Sequence, residues 1–236
     1  MARLTWDNTS ERYFETGISH GVLFVQNDDG TYQTGVAWNG LTSIKEKHEG
    51  FDSIHVYADD NLFLDIYEHE TFSLSLEAYT YPDEFEQCNG YYWDDALLVS
   101  MQERKKFALC YRTVTGNDVE GTEYGYKLHI VYDCIAKPAE REFKTMNESA
   151  DLTMFSWDID TYSVNYTGYR QTPMIILDSR KTSRGIMAKI ESYLYGSASS
   201  DPVLMLPEEI HTALNSHYLV TEYGEPIVFG STRILV

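Results

Sequence analysis

The sequence has few cysteines and no long apolar run, and each shortage excludes a class of protein. Its three cysteines, Cys88, Cys110 and Cys134, lie far apart, and no C-x-x-C pattern occurs. Neither a disulfide framework nor a zinc knuckle is indicated, and a reducing, cytosolic origin is expected. No apolar stretch approaches the roughly 20 residues of a membrane helix, and the first residues lack the apolar centre of a signal peptide. We therefore expect a protein that is made inside a cell, stays soluble there and has no membrane partner.

Basic residues are also scarce, since 18 Lys and Arg face 37 Asp and Glu, for a net charge of −19. Phosphate backbones are bound through Lys and Arg, so this balance argues against binding nucleic acid for affinity. It suits a surface that repels or passes a polyanion, although ordinary solubility explains it more simply. With 43% hydrophobic residues in 236, the chain can build a real core, in one large β-type domain or two small ones.

Several segments alternate apolar and polar residues, which is the period of a half-buried strand. The clearest is TFSLSLEAYT at 71–80. Similar patterns occur in KFALCYRT and in FSWDIDTYSV, and YKLHIVYDCIA places Tyr126, Leu128, Ile130 and Tyr132 on one face. VLFV at 22–25 and PMIILD at 173–178 are compact apolar runs typical of buried strands. Nineteen tyrosines add to the β bias. We predict a mainly β fold.

One segment has helical spacing instead. In TSRGIMAKIESYLYG, residues 182–196, Ile186, Ile190 and Leu194 lie four residues apart. Thr182 or Ser183 can cap its start and Gly196 can end it. We predict one amphipathic helix lying on a sheet. The following GSASSDP is typical of a linker, so we predict a β domain over 1–196 and a linker and arm over 197–236 that could belong to the same domain.

The segment LEAYTYPDEFEQC raises the choice between a catalytic and a structural acidic segment. It begins as a strand, and Pro82 ends that strand because proline has no N–H to donate. We predict that DEFEQC forms a helical turn anchored by Phe85. Its acids are expected to be solvent or interface groups rather than a catalytic pair.

Catalytic and metal-binding motifs are present only in weak form. GISHG at 17–21 satisfies G-x-S-x-G, but a nucleophile elbow needs a helix after its serine, and the next residues, VLFV, predict a strand. No two histidines have the i, i+4 spacing of helical metal ligands. Carboxylate pairs abound, but their spacing cannot show that they face one cleft. We predict that the protein is not an enzyme and has no catalytic, cofactor-binding or metal-binding residues. A site assembled only in three dimensions remains open.

Six blocks, in order from about Gly17 to Gly196, resemble the major tail proteins of long-tailed, non-contractile bacteriophages, the subunits of the tail tube. They are GVAWNGLTSIKEKHEG followed by YADD, EAYTYPDEFEQCNG, RKKFALCYRTVTGNDVEGTEYGYKLHIVYDCIAKPAEREF, TMFSWDIDTYSV, TPMIILDS and KIESYLYG. The segment YYWDDALLVSMQE and the residues after Gly196 depart from the family pattern.

This resemblance implies a virion component that is synthesised in the host cytoplasm. The implied fold of the subunit is a β-sandwich or partial barrel with an outer helix. The implied assembly is a ring, typically of six subunits, and the rings stack into a tube. Strands of neighbouring subunits would join into a continuous inner barrel. The implied partners are further copies of the chain, a tape-measure protein, and tail terminator and distal tail proteins at the tube ends. DNA would pass through during ejection without specific binding. The alternative is a carbohydrate-binding β-sandwich, alone or within a hydrolase, that uses its tyrosines and tryptophans as platforms.

Residues 41–62 are predicted to extend beyond the sandwich as a long hairpin or loop. LTSIKEKH and DSIHVYADD read as two strands, and Gly50 can form the turn between them. Both are too polar for core strands, so we expect them to need an adjacent subunit or ring as a partner surface. The acids predicted to lie nearest the lumen or ring interface are Glu46, Glu49, Asp52, Asp59 and Asp60. An ordinary mobile surface loop is the alternative.

Overall fold

The computed structural model describes residues 4–50, 52–143, 145, 152–215, 228–229 and 232–233. The strands are β1 (Tyr13–Val25), β2 (Val36–Trp38), β3 (Leu41–Glu49), β4 (Ser53–Ala58), β5 (Asn61–Tyr67), β6 (Thr71–Ala78), β7 (Tyr91–Asp94), β8 (Leu97–Ser100), β9 (Phe107–Asn117), β10 (Gly121–Ala136), β11 (Phe155–Thr161), β12 (Met174–Asp178), β13 (Val228–Phe229) and β14 (Thr232–Arg233). The helices are α1 (Arg184–Leu194) and α2 (Pro207–Asn215), and a 3-10 turn spans Asp83–Gln87.

Eight strands form one antiparallel sheet in the order β2-β1-β9-β10-β11-β6-β3, with β12 also paired to β10. Strand β10 is shared between two neighbours along one edge. Its residues 127–131 pair with β12, and its residues 134–136 pair with β11. The sheet therefore divides along β10.

A bulge at Asp133 marks the point of division. Asp133 has a φ of 46°, and the pairing of β10 with β9 shifts register between Val131 and Cys134. The Asp133 carboxylate accepts hydrogen bonds from Gln26 Nε2 at 2.9 Å and from the Tyr32 hydroxyl at 2.9 Å. These bonds, with Lys106 Nζ at 3.1 Å, hold the bulged residue against the loop after β1.

The first core lies between the two halves of the divided sheet. The side chains predicted to alternate inward from β6 and β9 are all buried there, together with Trp157 and Ile159 of β11. Trp38 packs at 4.6 Å from Phe85, measured between ring centroids, and donates from Nε1 to the Thr80 carbonyl. The predicted mainly β sandwich or partial barrel is confirmed.

The second core lies on the outer face of β1, β9, β10 and β12, under the helices. The predicted helix is confirmed as α1, with Ser183 as its cap and Gly196 beyond its end at a φ of 78°. Ile190 and Leu194 are fully buried as predicted, whereas Ile186 is only partly buried. The helical pitch places Met187, rather than Ile186, deep in the core.

The prediction of a single helix is wrong, because α2 also packs on this core. Ile210 and Ala213 of α2 are buried, as are Leu204 and Met205 before it. The backbone N–H of Leu206 donates to Glu209 Oε2 at 2.8 Å, which is half of a capping box. Residues 202–215 thus rest on the β domain, and residues 216–227 lie outside the described part of the chain. The predicted division at 196 stays a prediction.

The predicted helical turn after β6 is confirmed as the 3-10 turn, and Phe85 is fully buried. The expectation that its acids are solvent or interface groups is wrong for Glu86, which is 6% exposed. Glu86 Oε1 accepts from the Tyr81 hydroxyl at 2.8 Å, and its other oxygen lies 3.6 Å from Arg141. Glu86 is therefore an internal structural group.

Candidate functional site

A two-stranded hairpin formed by β4 and β5 leaves the main sheet at its β3 edge. Strand β3 pairs with β6 as far as Glu49 opposite Thr71, and beyond that point β4 and β5 pair with each other. All their residues are exposed. A long hairpin is therefore present, but the predicted pairing of 41–48 with 52–60 around Gly50 is wrong. The competing partner of β3 is β6, and Gly50 lies at the neck of the hairpin.

The hairpin turns at Asp59 and Asp60. Both have positive φ, at 49° and 59°, as a two-residue turn between twisted antiparallel strands requires. Aspartate tolerates this conformation better than most residues. Asn61 Nδ2 donates to the Asp59 carbonyl at 2.9 Å and closes the turn. Two adjacent carboxylates therefore form the tip.

One face of the hairpin is aliphatic. Ile54 lies opposite Ile66, and Val56 lies opposite Leu64, so these four side chains share one side of the ribbon. We call them the aliphatic face. They remain 39–50% exposed. An isolated two-stranded ribbon is marginally stable in water, so this face is an apolar surface available for docking.

The predicted acids lie at three heights along this projection. Glu49 is at the end of β3, where it pairs with Lys47, and Asp52 is at the neck, where its carbonyl accepts from the Glu68 N–H at 3.0 Å. Asp59 and Asp60 are at the tip. In the described part of the chain, Asp52, Asp59 and Asp60 take part in no ion pair. Their placement near a lumen or interface stays a prediction.

Glu46 differs from the other acids because its carboxylate turns into the subunit. It accepts from the Tyr111 hydroxyl at 2.6 Å and lies 3.1 Å from His129 Nδ1. The His129 ring is buried, stacks on Tyr111 at 4.6 Å and contacts the Thr113 hydroxyl at 3.0 Å. The bond from His129 lowers the pKa of Glu46, and burial, more than the bond to Glu46, raises the pKa of Tyr111. Glu46 thus ties β3, from which the hairpin continues, to β9 and β10.

Ser19 does not lie on a nucleophile elbow. It is in the middle of β1, at an irregularity in the pairing with β9, and the strand continues after it to Val25, as predicted. His20 Nδ1 is 3.0 Å from Ser19 Oγ. The cavity of about 470 Å³ beside them is lined by no carboxylate. A strand that continues after Ser19, in place of a helix, does not provide the geometry of a nucleophile elbow.

Other candidate chemistry is limited in the described ranges. No three His, Cys, Asp or Glu side chains there converge into a metal-binding group. All three cysteines are buried and free, and burial raises the pKa of Cys88 to about 12. None of the described helices has the length and apolarity to cross a bilayer.

Many aromatic residues that could have formed a carbohydrate platform lie in the cores. Trp38, Trp157, Tyr111 and Tyr132 are at most 2% exposed. Exposed aromatic side chains include Trp93 and its neighbour Tyr92 on the short β7–β8 hairpin. That hairpin accounts for part of the segment at 91–103 that departs from the family pattern.

A scan of protein-family models and a search of curated proteins each found no match. Among solved structures, the chain is similar to one in the sheath–tube complex of an extracellular contractile injection system, PVC, in the extended state. That chain is 12% identical, with a TM-score of 0.32, and the match covers 67% of this chain and 88% of that one.

Two further similarities are to a chain of the 6-fold symmetrised baseplate of the anti-feeding prophage and to one of the PVC sheath/tube terminator. The first has 11% identity and a TM-score of 0.35 and covers 74% of this chain and 97% of that one. The second has 9% identity and a TM-score of 0.32, and the match covers 74% of this chain and 99% of that one. Two of the three chains come from a contractile injection system, whereas the sequence resembles non-contractile phage proteins. TM-scores this low support no functional assignment.

Proposed function

We propose that this chain is a structural subunit of a phage tail tube, which self-associates into rings, typically of six, that stack into a conduit for DNA ejection. The observation that carries the proposal is the β4–β5 hairpin, which projects from an edge strand with its aliphatic face uncovered. The six blocks of sequence resemblance support the same assignment.

Burial of the aliphatic face supplies a driving force for association. Fully burying an exposed Val, Leu or Ile side chain is worth about 1.5–3 kcal/mol. Four side chains that are already half-covered therefore offer about 3–6 kcal/mol per hairpin, before the entropy of association is subtracted. A surface of another copy of the chain is the partner, because a subunit that repeats along a tube meets copies of itself above and below.

Open sheet edges support ring formation. In the described part of the chain, β3 pairs only with β6, β12 only with β10, and the short β2 only with β1. An unpaired edge can accept a strand of another copy, and such pairing removes the risk of aggregation that exposed edge strands carry. Because β3 and β12 are different surfaces, edge-to-edge contacts between them are head-to-tail and close into rings when the rotation permits.

The acidic composition fits a conduit that does not hold its cargo. A net charge of −19 would repel the DNA backbone, so that DNA slides without binding. In this proposal the tape-measure protein occupies the tube during assembly, and terminator and distal tail proteins contact its ends. The subunit acts in the virion tail, without a catalytic step.

Shortening the hairpin tests the proposal. Residues 50–70 are replaced by Asn-Gly, which can close the adjacent pair of Glu49 and Thr71 as a two-residue turn. The purified variant should keep a cooperative thermal transition but form no rings or tubes by negative-stain microscopy at concentrations where the unmodified chain does.

The matched control replaces residues 92–99 by Asn-Gly across the pair of Tyr91 and Ser100. This removes another exposed, partly apolar hairpin and should leave assembly intact. Tubes of normal length from the 50–70 replacement would refute the role of the hairpin. An unmodified chain that stays monomeric and binds on a glycan array would favour the carbohydrate-binding alternative.

A further inference from the structure

A cleft of about 670 Å³ lies between the β9–β10 turn, the segment after β12 and the side of α1. Its lining combines three arginines with apolar and aromatic surface: Arg112, Arg180, Arg184, Tyr124, Tyr126 and Met187. The Arg112 guanidinium lies 3.7 Å from the centre of the Tyr126 ring, which holds it flat against the wall. The cleft therefore offers cations beside apolar surface.

Two of the three arginines are not neutralised by a described acid of the same subunit. Seven of the described Lys and Arg side chains are in ion pairs, and Arg180 is the one among them that lines the cleft: Lys47, Lys105, Lys106, Lys127, Lys137, Arg141 and Arg180. Arg180 binds Asp178 through two nitrogens, at 2.9 and 2.5 Å. Arg112 and Arg184 take part in no ion pair with any described residue.

Two buried polar atoms of side chains that line the cleft also lack hydrogen-bond partners among the described residues. They are Arg112 Nε, a donor, and Glu191 Oε1, an acceptor. Leaving buried polar atoms unpaired is costly, so a ligand that supplies both an acceptor and a donor would be favoured. A polypeptide turn with a carboxylate side chain has this chemistry, since its carboxylate accepts from Arg112 and a backbone N–H donates to Glu191.

The acids at the mouth of the cleft restrict the ligand further. Glu120 and Glu123 are exposed on the β9–β10 turn. Together with Glu191 they balance the charge of the three arginines, so the cleft as a whole is not basic and would repel an extended polyanion such as nucleic acid. An acidic occupant must place its carboxylates directly at Arg112 and Arg184, which a compact turn can do.

We propose that the cleft receives the tip of the β4–β5 hairpin, with Asp59 and Asp60, from a second copy of this chain. Neither acid has an ion-pair partner among the described residues, and both are flanked by the exposed side chains of Tyr57, Leu62 and Phe63. The tip thus pairs acids with apolar groups as the cleft pairs cations with apolar groups. The inference rests on the proposed function, because it names the surface that the assembly hairpin contacts.

This contact is directional, because tip and cleft are different surfaces of one subunit. A head-to-tail contact of this kind leaves one tip and one cleft free at the ends of any open assembly, so it can propagate. Charge complementarity sets the register of such contacts and excludes wrong ones.

Charge reversal tests the contact. Arg184→Glu, and separately the double change Asp59→Arg with Asp60→Arg, should each raise the concentration needed for half-maximal self-association by about tenfold or more. Combining all three changes in one chain should recover most of the loss. Sedimentation velocity and negative-stain microscopy together measure association, from dimers up to tubes.

Matched controls make the same charge changes elsewhere. Asp94→Arg with Asp95→Arg alters the acidic turn of the β7–β8 hairpin, and Arg170→Glu alters an exposed arginine outside the cleft. Both should associate as the unmodified chain does.

The outcomes separate this contact from the proposed function. If rings still form with every charge reversal, or if the reversals do not rescue each other, the contact is refuted and the proposed function is unaffected. If the chain forms dimers that show the full rescue pattern but never forms rings, the contact is supported and the proposed ring assembly is refuted. A chain that stays monomeric at every concentration would overturn both.

Discussion

Replacing Ile190 by alanine should lower the free energy of unfolding by about 3 kcal/mol. Ile190 is fully buried in the core that α1 shares with β9 and β10. The change removes three carbon atoms, and at about 0.8 kcal/mol per buried methylene the lost transfer energy alone is about 2.4 kcal/mol. The unfilled space adds a cavity term, and measured losses for such truncations span about 2–5 kcal/mol.

Ile186→Ala on the same helix is the matched control. It makes the same change in helix propensity, but Ile186 is only partly buried, so its cost should be roughly half or less. Urea unfolding followed by circular dichroism gives both values, with an unchanged m-value as the check on two-state behaviour. The reasoning is refuted if Ile190→Ala lies within about 0.5 kcal/mol of the unmodified chain. A soluble Ile190→Asp variant of unchanged stability would refute it as well, because a buried unpaired carboxylate costs more.

Three further predictions concern single side chains. Ser19→Ala should leave assembly and plaque formation intact, and a fluorophosphonate probe should not label Ser19; loss of plaques by phage with complete tails would contradict this. The pKa of Glu46 is lower in the folded than in the unfolded chain, so its ionised carboxylate stabilises the fold at pH values above the unfolded-state pKa. That stabilisation is lost as the pH falls through the folded-state pKa. Glu46→Gln should therefore flatten the acid-side loss of stability, whereas Glu84→Gln, at an exposed position of the 3-10 turn, should not. Because burial raises the pKa of Cys88 to about 12, the native protein should resist thiol reagents at pH 8, and rapid stoichiometric labelling of Cys88 would count against its burial.

The core strands could be predicted from the sequence because burial on one side imposes a period of two. Phe72, Leu74 and Leu76 alternate with polar residues, and all three lie in the core between the sheet halves. The hairpin pairing could not be predicted in the same way. Gly50 gave a local turn signal, but β3 gains more by pairing with β6, which lies about 20 residues further along the chain. A local pattern does not reveal which of two partners a strand will take.

The presence of a hairpin was predictable from the sequence, but the contacts of its acids were not. Only the folded chain places Glu46 beside His129, which is 83 residues away in sequence. Helix α2 was missed although its start carried a usable signal. Pro207 at the first helical position, followed by Glu208 and Glu209, is a typical helix N-terminus.

The pairing of β1 with β9 has a consequence for how a newly made chain folds. About 80 residues separate Val25 from its partner Phe107, so at about 5–20 residues per second the ribosome needs about 4–16 s to deliver the second strand after the first. The β4–β5 hairpin closes over a few residues and forms within microseconds once it has emerged. The segment with the uncovered aliphatic face is thus formed seconds before the sheet that carries it. If the hairpin docks on other copies of the chain, as proposed, the order of synthesis favours contact between nascent chains whose sheets are not yet complete.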